Sequence, residues 1–166
     1  MIFVVGEIPL PDILIFCFRR FSAMSGQQFD SGVLRVLVPT GWKLFFGIDS
    51  SGNATPKKLH IYKNAETEAD ILYKPGITIC YFGKNEIYLS PKNFYDNVRD
   101  MEPFSLGSRM WNGYTCTSLG YPYTMLTTVS NGAVFQIMIL TENQGQTISL
   151  NDEDVRAVLE SIQECR

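Results

Sequence analysis

Histidine occurs once in the 166 residues, at position 60, inside the apolar run Leu59-His60-Ile61-Tyr62. Imidazole is the usual general base near neutral pH and the commonest metal ligand, so one copy leaves few routes to a catalytic triad or a zinc centre. Spacing assigns it no serine or cysteine nucleophile, and a hydrogen-bonded strand histidine is the simpler reading. The cysteines, Cys17, Cys80, Cys116 and Cys165, are far apart and form no CxxC pair. They read as reduced thiols, with Cys80 and Cys116 as small strand hydrophobes, in preference to the disulfide framework of a secreted domain.

The carboxylates offer little more. Asp49-Ser50-Ser51-Gly52-Asn53 imitates the start of a calcium loop, but an EF-hand needs glycine at its sixth position and glutamate at its twelfth, where this chain has Ala54 and His60. Glu66, Glu68 and Asp70 could ligate a hard cation, although a solvated face at a helix start explains them more simply. Asp152-Glu153-Asp154 reads as helix capping. GxSxG, Walker A, GxGxxG and HExxH patterns are all missing from the sequence, so hydrolase, nucleotide-binding and zinc-protease readings lack positive support. The expectation is a protein that is not an enzyme and takes no cofactor or metal.

Aromatic and sulfur side chains are the best positive candidates. Trp111, Tyr114, Tyr121, Tyr123, Met125 and Met138 fall in or beside a predicted run of strands, and such residues supply large contact area at low entropic cost in interfaces. Alternation puts Trp111 and Tyr114 on opposite faces of their strand. Trp111, Tyr121, Tyr123, Met125 and Met138 are therefore the candidate partner-binding residues, with the Tyr121-Pro122-Tyr123 turn as the contact point. With 14 basic against 17 acidic residues and a net charge of −3, no basic stripe points to nucleic acid. The expected partner is a protein.

The elements that must position these side chains start after an atypical leader. Residues 1–23 hold the apolar run Ile13 to Phe18, followed by Arg19-Arg20. That order is the reverse of a secretory signal, and the run is too short to span a bilayer; it could at most lie at an interface. Translation from Met24, with the leader outside the fold and disordered, is the preferred reading, and residues 24–166 are read as a single domain.

From Val33 the chain alternates strands and helices. Val33 to Val38 and Trp42 to Phe46 read as a strand pair about the Pro39-Thr40-Gly41 bend. A strand follows over Lys58 to Lys63, then a short helix within Asn64 to Lys74, then a strand from Pro75-Gly76. Ser90-Pro91 has the chemistry of a helix start, and Phe94, Tyr95, Val98 and Met101 supply an apolar stripe. Asn131-Gly132 is a strong hairpin signal, since both central residues of a type I′ turn need positive φ. It pairs Thr128, Leu126 and Thr124 with Phe135, Ile137 and Ile139 on the core face, and Val129, Thr127 and Met125 with Val134, Gln136 and Met138 on the other. That second face is either covered by a helix or open to a partner. Arg109 to Ser118 is the third antiparallel neighbour, and Val155, Val158, Leu159 and Ile162 give a closing helix its core stripe.

The strand Leu34 to Val38 with Pro39-Thr40-Gly41-Trp42, the meander from Arg109 to Thr141 and the closing helix through Val158-Leu159-Glu160-Ser161-Ile162 resemble the PsbP-like superfamily. The similarity covers roughly residues 29–163. That group includes the extrinsic subunit of photosystem II, a yeast nuclear-import factor that binds the GTPase Ran, and bacterial DcrB-like proteins and secretion chaperones. The resemblance implies an α+β fold, a single antiparallel sheet with helices packed on its two sides as an α/β/α sandwich, and a binding or assembly role without a shared catalytic site. No family residue maps onto this chain. The leader differs from that of many bacterial relatives, which favours the cytoplasm. The expected function is a non-enzymatic protein-binding module; the alternative is a small ligand-binding protein or enzyme with a pocket between sheet and helices near His60 and Cys80.

Overall fold

The computed structural model describes residues 25–165. Expectations for residues 1–23, Cys17 and a start at Met24 lie outside that range. The described chain is built mostly of strands: β1 Gly26–Asp30, β2 Leu34–Pro39, β3 Trp42–Ile48, β4 Ala54–Lys63, β5 Gly76–Phe82, β6 Asp96–Leu106, β7 Arg109–Ser118, β8 Tyr121–Ser130 and β9 Ala133–Leu140. Two short strands, β10 Glu142–Asn143 and β11 Gln146–Thr147, precede helix α1, Glu153–Ser161, and the last strand, β12 Gln163–Glu164. Seven strands form one antiparallel sheet in the order β3-β4-β5-β9-β8-β7-β6, β1-β2-β12 form a second of three, and β10-β11 a small ribbon.

The core fills the space between one face of the large sheet and a second layer made by α1 and the small sheet. Leu59, Ile61, Ile77, Ile79, Leu126, Phe135, Ile137 and Ile139 meet Leu34 and Val36 of β2 and Val155, Val158, Leu159 and Ile162 at α1, all essentially removed from solvent. Alternate residues of each strand point inward, as the pleat requires. Ser161 ties the two parts of that layer: its hydroxyl accepts from the Leu37 amide at 2.8 Å.

The β8–β9 hairpin has the register that Asn131-Gly132 dictates: Thr128 opposite Phe135, Leu126 opposite Ile137, Thr124 opposite Ile139 and Met125 opposite Met138. Asn131 and Gly132 take φ of 51° and 81°, the left-handed pair of a type I′ turn. The β7–β8 connection repeats this geometry at Leu119 and Gly120, with φ of 51° and 83°.

The expected α+β sandwich is overturned. Among the described residues there is a single α-helix, and the molecule is mostly antiparallel sheet rather than a sheet with helices on both sides. Ser90 does accept from the Lys92 amide with Pro91 in the first turn, but only a 3-10 turn, Pro91–Phe94, forms before β6 begins. The stripe Phe94, Tyr95, Val98 and Met101 reads as helical, yet Phe94 ends the 3-10 turn, exposed, Tyr95 follows it, and Val98 and Met101 belong to a bulged strand. Register shifts between Asp96 and Arg99 and between Met101 and Phe104 each re-phase the alternation. Tyr95 and Val98 thereby share one face of the sheet, while Met101 and Phe104 share the other. Pro103 sits in the second irregularity on an edge strand, where a missing N–H costs no ladder bond. The helix expected within Asn64 to Lys74 is likewise a 3-10 turn, Glu68–Leu72, begun at Thr67. Nor are β2 and β3 a hairpin: β2 pairs with β1 and β12, β3 with β4, and the chain changes sheets at Gly41, whose φ is +82°.

Candidate functional site

The outer face of the large sheet carries the candidate site, because no helix lies over it among the described residues. Strand pairing lines up one transverse row on that face: Asp100 of β6, Tyr114 of β7, Met125 of β8, Met138 of β9, Thr78 of β5, His60 of β4 and Phe45 of β3. A parallel row sets Cys116 opposite Tyr123, Tyr123 opposite Leu140, Leu140 opposite Gly76 and Gly76 opposite Tyr62. Tyr114, Cys116 and Met125 form a second apolar cluster, with Tyr95, Val98, Tyr123 and Met138 packed against it. The connection from Gly83 to Tyr95 covers part of this face, and its Tyr88 ring stacks edge-on to Phe82 at 5.2 Å.

Of the residues singled out in the sequence, Tyr123, Met125 and Met138 come together here. Tyr121 lies at the margin of the same face, exposed at the start of β8. Trp111 does not join them: it points into the main core, fully buried, with no partner for its indole N–H. Sequence reasoning put Gln136 on this face but missed Thr78 and Tyr62, which complete it. Their strands alternate in the right way, but nothing local shows that β5 pairs with β9. Gly76 is the one residue with a readable reason, for a Cβ there would stand 2.4 Å from the Tyr62 ring, which lies over it.

The chemistry of the face is quiet. His60 shares a hydrogen bond with Thr78 through Nδ1 and Oγ1 at 2.8 Å. Burial, reinforced by Lys58, pulls its pKa down to about 4, so the ring is neutral near pH 7. Burial pushes the Cys80 and Cys116 thiols up, away from the reactive thiolate. The same effect raises Tyr114 to about 12, its hydroxyl buried beside Ser90. Lys92 sits over the Tyr114 ring, 5.6 Å from its centre, while its ammonium pairs with Asp100. Two concavities of about 390 and 460 Å³ among the described residues lie elsewhere, one at the β1–β3 corner and one around Lys57, Tyr81, Lys84 and Glu86. His60 lines neither.

Two of the carboxylates considered as metal ligands, Asp49 and Asp70, are spent on the backbone. Asp49 Oδ1 accepts from the Ser51 and Asn53 amides, which closes the β3–β4 turn. Asp70 Oδ2 accepts from the Glu66 and Thr67 amides, and these bonds hold its carboxyl below the usual range. No group of three His, Cys, Asp or Glu side chains converges as a metal site among the described residues.

No family model matches the chain, and no curated protein matches it. Among solved structures it is similar to LpqN of Mycobacterium tuberculosis, described as involved in cell envelope biogenesis. The two share 16% identity over 87% of this chain and 88% of that one, with a TM-score of 0.41. A likeness of that degree carries no argument about function.

Proposed function

We propose that this protein is a non-enzymatic binding or assembly module that holds a protein partner against the outer face of its large sheet, around exposed Tyr121 and half-buried Tyr123 and Met138, with Met125 buried beneath them. The observation that supports it most is the second apolar cluster on a face without an α-helix, in which Tyr95, Tyr114, Tyr123, Met125 and Met138 adjoin. Tyr and Met are suited to such contacts: rigid amphipathic rings cost little entropy, and thioethers adapt to irregular surfaces. A cytoplasmic setting is part of the same reading. No helix among the described residues is long and apolar enough to cross a membrane.

The test is an affinity capture from the native host with the full chain, against a Tyr121→Ala, Tyr123→Ala double variant. A protein retained by the parent and lost by the variant supports this face as the contact. Equal capture by both, or capture by neither, removes the proposal.

A further inference from the structure

The two edges of the large sheet are guarded very differently. β6, at one end, carries two irregularities, Pro103 and the charges of Asp96, Arg99, Asp100 and Glu102. These are the devices by which an edge strand resists pairing with another chain. β3, at the other end, is not guarded in this way. It runs Trp42-Lys43-Leu44-Phe45-Phe46-Gly47-Ile48 without proline, and no strand pairs with its outer side among the described residues. Its register shift against β4 passes over Pro56, Lys57 and Lys58, so the extra residues lie in β4 and the alternation of β3 is unbroken. Lys43 is its one charge, and that ammonium donates to the Glu66 carbonyl at 2.7 Å.

The same strand is self-complementary. Alternation puts Trp42, Leu44, Phe46 and Ile48 on the side that faces β1, where the Phe46 ring meets Phe29 edge-on at 5.8 Å between centres. Toward the end of β3, Phe46 and Ile48 are 39% and 60% exposed. At its start, Trp42 and Leu44 instead line the concavity of about 390 Å³ together with Phe29 and Val38. One strand therefore carries a hollow at one end and apolar projections at the other. A two-fold axis through Phe45, the middle residue, would set Leu44 opposite Phe46 and Trp42 opposite Ile48 of a second copy, twice over. Projections of each copy then meet the hollow of the other, which is the condition for an isologous contact. Lys43 falls opposite Gly47, so no like charges are opposed.

We propose that two copies of this chain pair antiparallel through β3, about Phe45, and join their seven-stranded sheets edge to edge. The unpaired N–H and C=O groups along β3 gain partners, and Phe46 and Ile48 leave water. A second copy is the occupant because hollow and projection lie on one strand and match only when that strand meets itself reversed. On the outer face, the row of side chains that ends at Phe45 continues into the Phe45 of the second copy. The pairing leaves β8 and β9, where the candidate binding face is centred, away from the contact.

The experiment is sedimentation equilibrium of the full chain, with a Phe46→Lys, Ile48→Lys pair on β3 and Glu102→Lys on the opposite edge. The expected result is a dimeric parent, a dissociation constant raised about a hundredfold or more by the β3 pair, since each substitution enters the contact twice, and no change from Glu102→Lys. Ile48→Lys alone, at the more exposed site, should weaken the dimer with the circular dichroism spectrum of the parent, which separates lost pairing from lost folding. Register is read by Phe45→Cys. Opposed Cα atoms in an antiparallel pair stand about 4.5–5.5 Å apart, within reach of a disulfide, so mild oxidation should give a covalent dimer that the parent does not form. A parent that is monomeric at every concentration overturns the proposal. So does a dimer that the β3 pair leaves intact, or a Phe45→Cys chain that cross-links no more than the parent, for the copies would then meet elsewhere.

Discussion

Acidification should destabilise this protein through His60, and the magnitude follows from its surroundings. The ring is held neutral in the fold with a pKa of about 4, against about 6.5 in an unfolded chain. Between those values the unfolded state takes up a proton that the folded state refuses, so this contribution is complete above the unfolded pKa and declines as pH falls toward the folded one. From about pH 7.5 to about pH 5 the loss is about 2 kcal/mol, and below the folded pKa it levels off near 3 kcal/mol. His60→Gln lacks the titration and can still bond to Thr78, so carboxylate effects cancel when the two proteins are compared. Urea unfolding of both at the two pH values is the assay. The parent should lose about 2 kcal/mol more than the variant. Losses equal within a few tenths of a kcal/mol would refute the argument, because His60 would then be as solvated and protonatable in the fold as in the unfolded chain.

Gly113→Ala should cost about 2 kcal/mol or more, since the new Cβ would stand 2.5 Å from the Met125 carbonyl oxygen and 2.6 Å from Leu126 Cδ2; a thermal melt close to the parent's would contradict the packing of β7 on β8. Asp154 accepts from the Trp42 indole at 3.1 Å and from Lys63 at 3.0 Å. Asp154→Ala should therefore cost about 1–2 kcal/mol and shift the tryptophan fluorescence, whereas Asp154→Asn, which still accepts from the indole, should keep most of the stability. An alanine variant as stable as the parent, with unchanged emission, would show that this tie between β3 and α1 contributes nothing.

How much of the candidate site could be read from sequence depends on the distance over which each constraint acts. The Asn131-Gly132 turn sets a register within ten residues on either side, so Met125 facing Met138 and the inward set Thr124, Leu126 and Thr128 were legible. The stripe Val155, Val158, Leu159 and Ile162 was legible for the same reason, because helical periodicity is a local property. β6 was misread because an i, i+3 apolar spacing arises from a helix or from a strand with bulges, and only pairing with β7 selects the second.

Local sequence determined the turns, the alternation along β8 and β9, the inward stripe of α1 and the scarcity of catalytic groups. These depend on backbone sterics and side-chain type over a few bonds. Tertiary structure decided that β2 joins the small sheet and the chain enters the large one only after Gly41, that β5 pairs with β9, that His60 and Thr78 therefore fall in one row with Met125 and Met138, and that Trp111 faces the core instead. Those outcomes depend on which strands meet across tens of residues, and the meeting is settled by the burial of whole faces, to which no single residue holds the key.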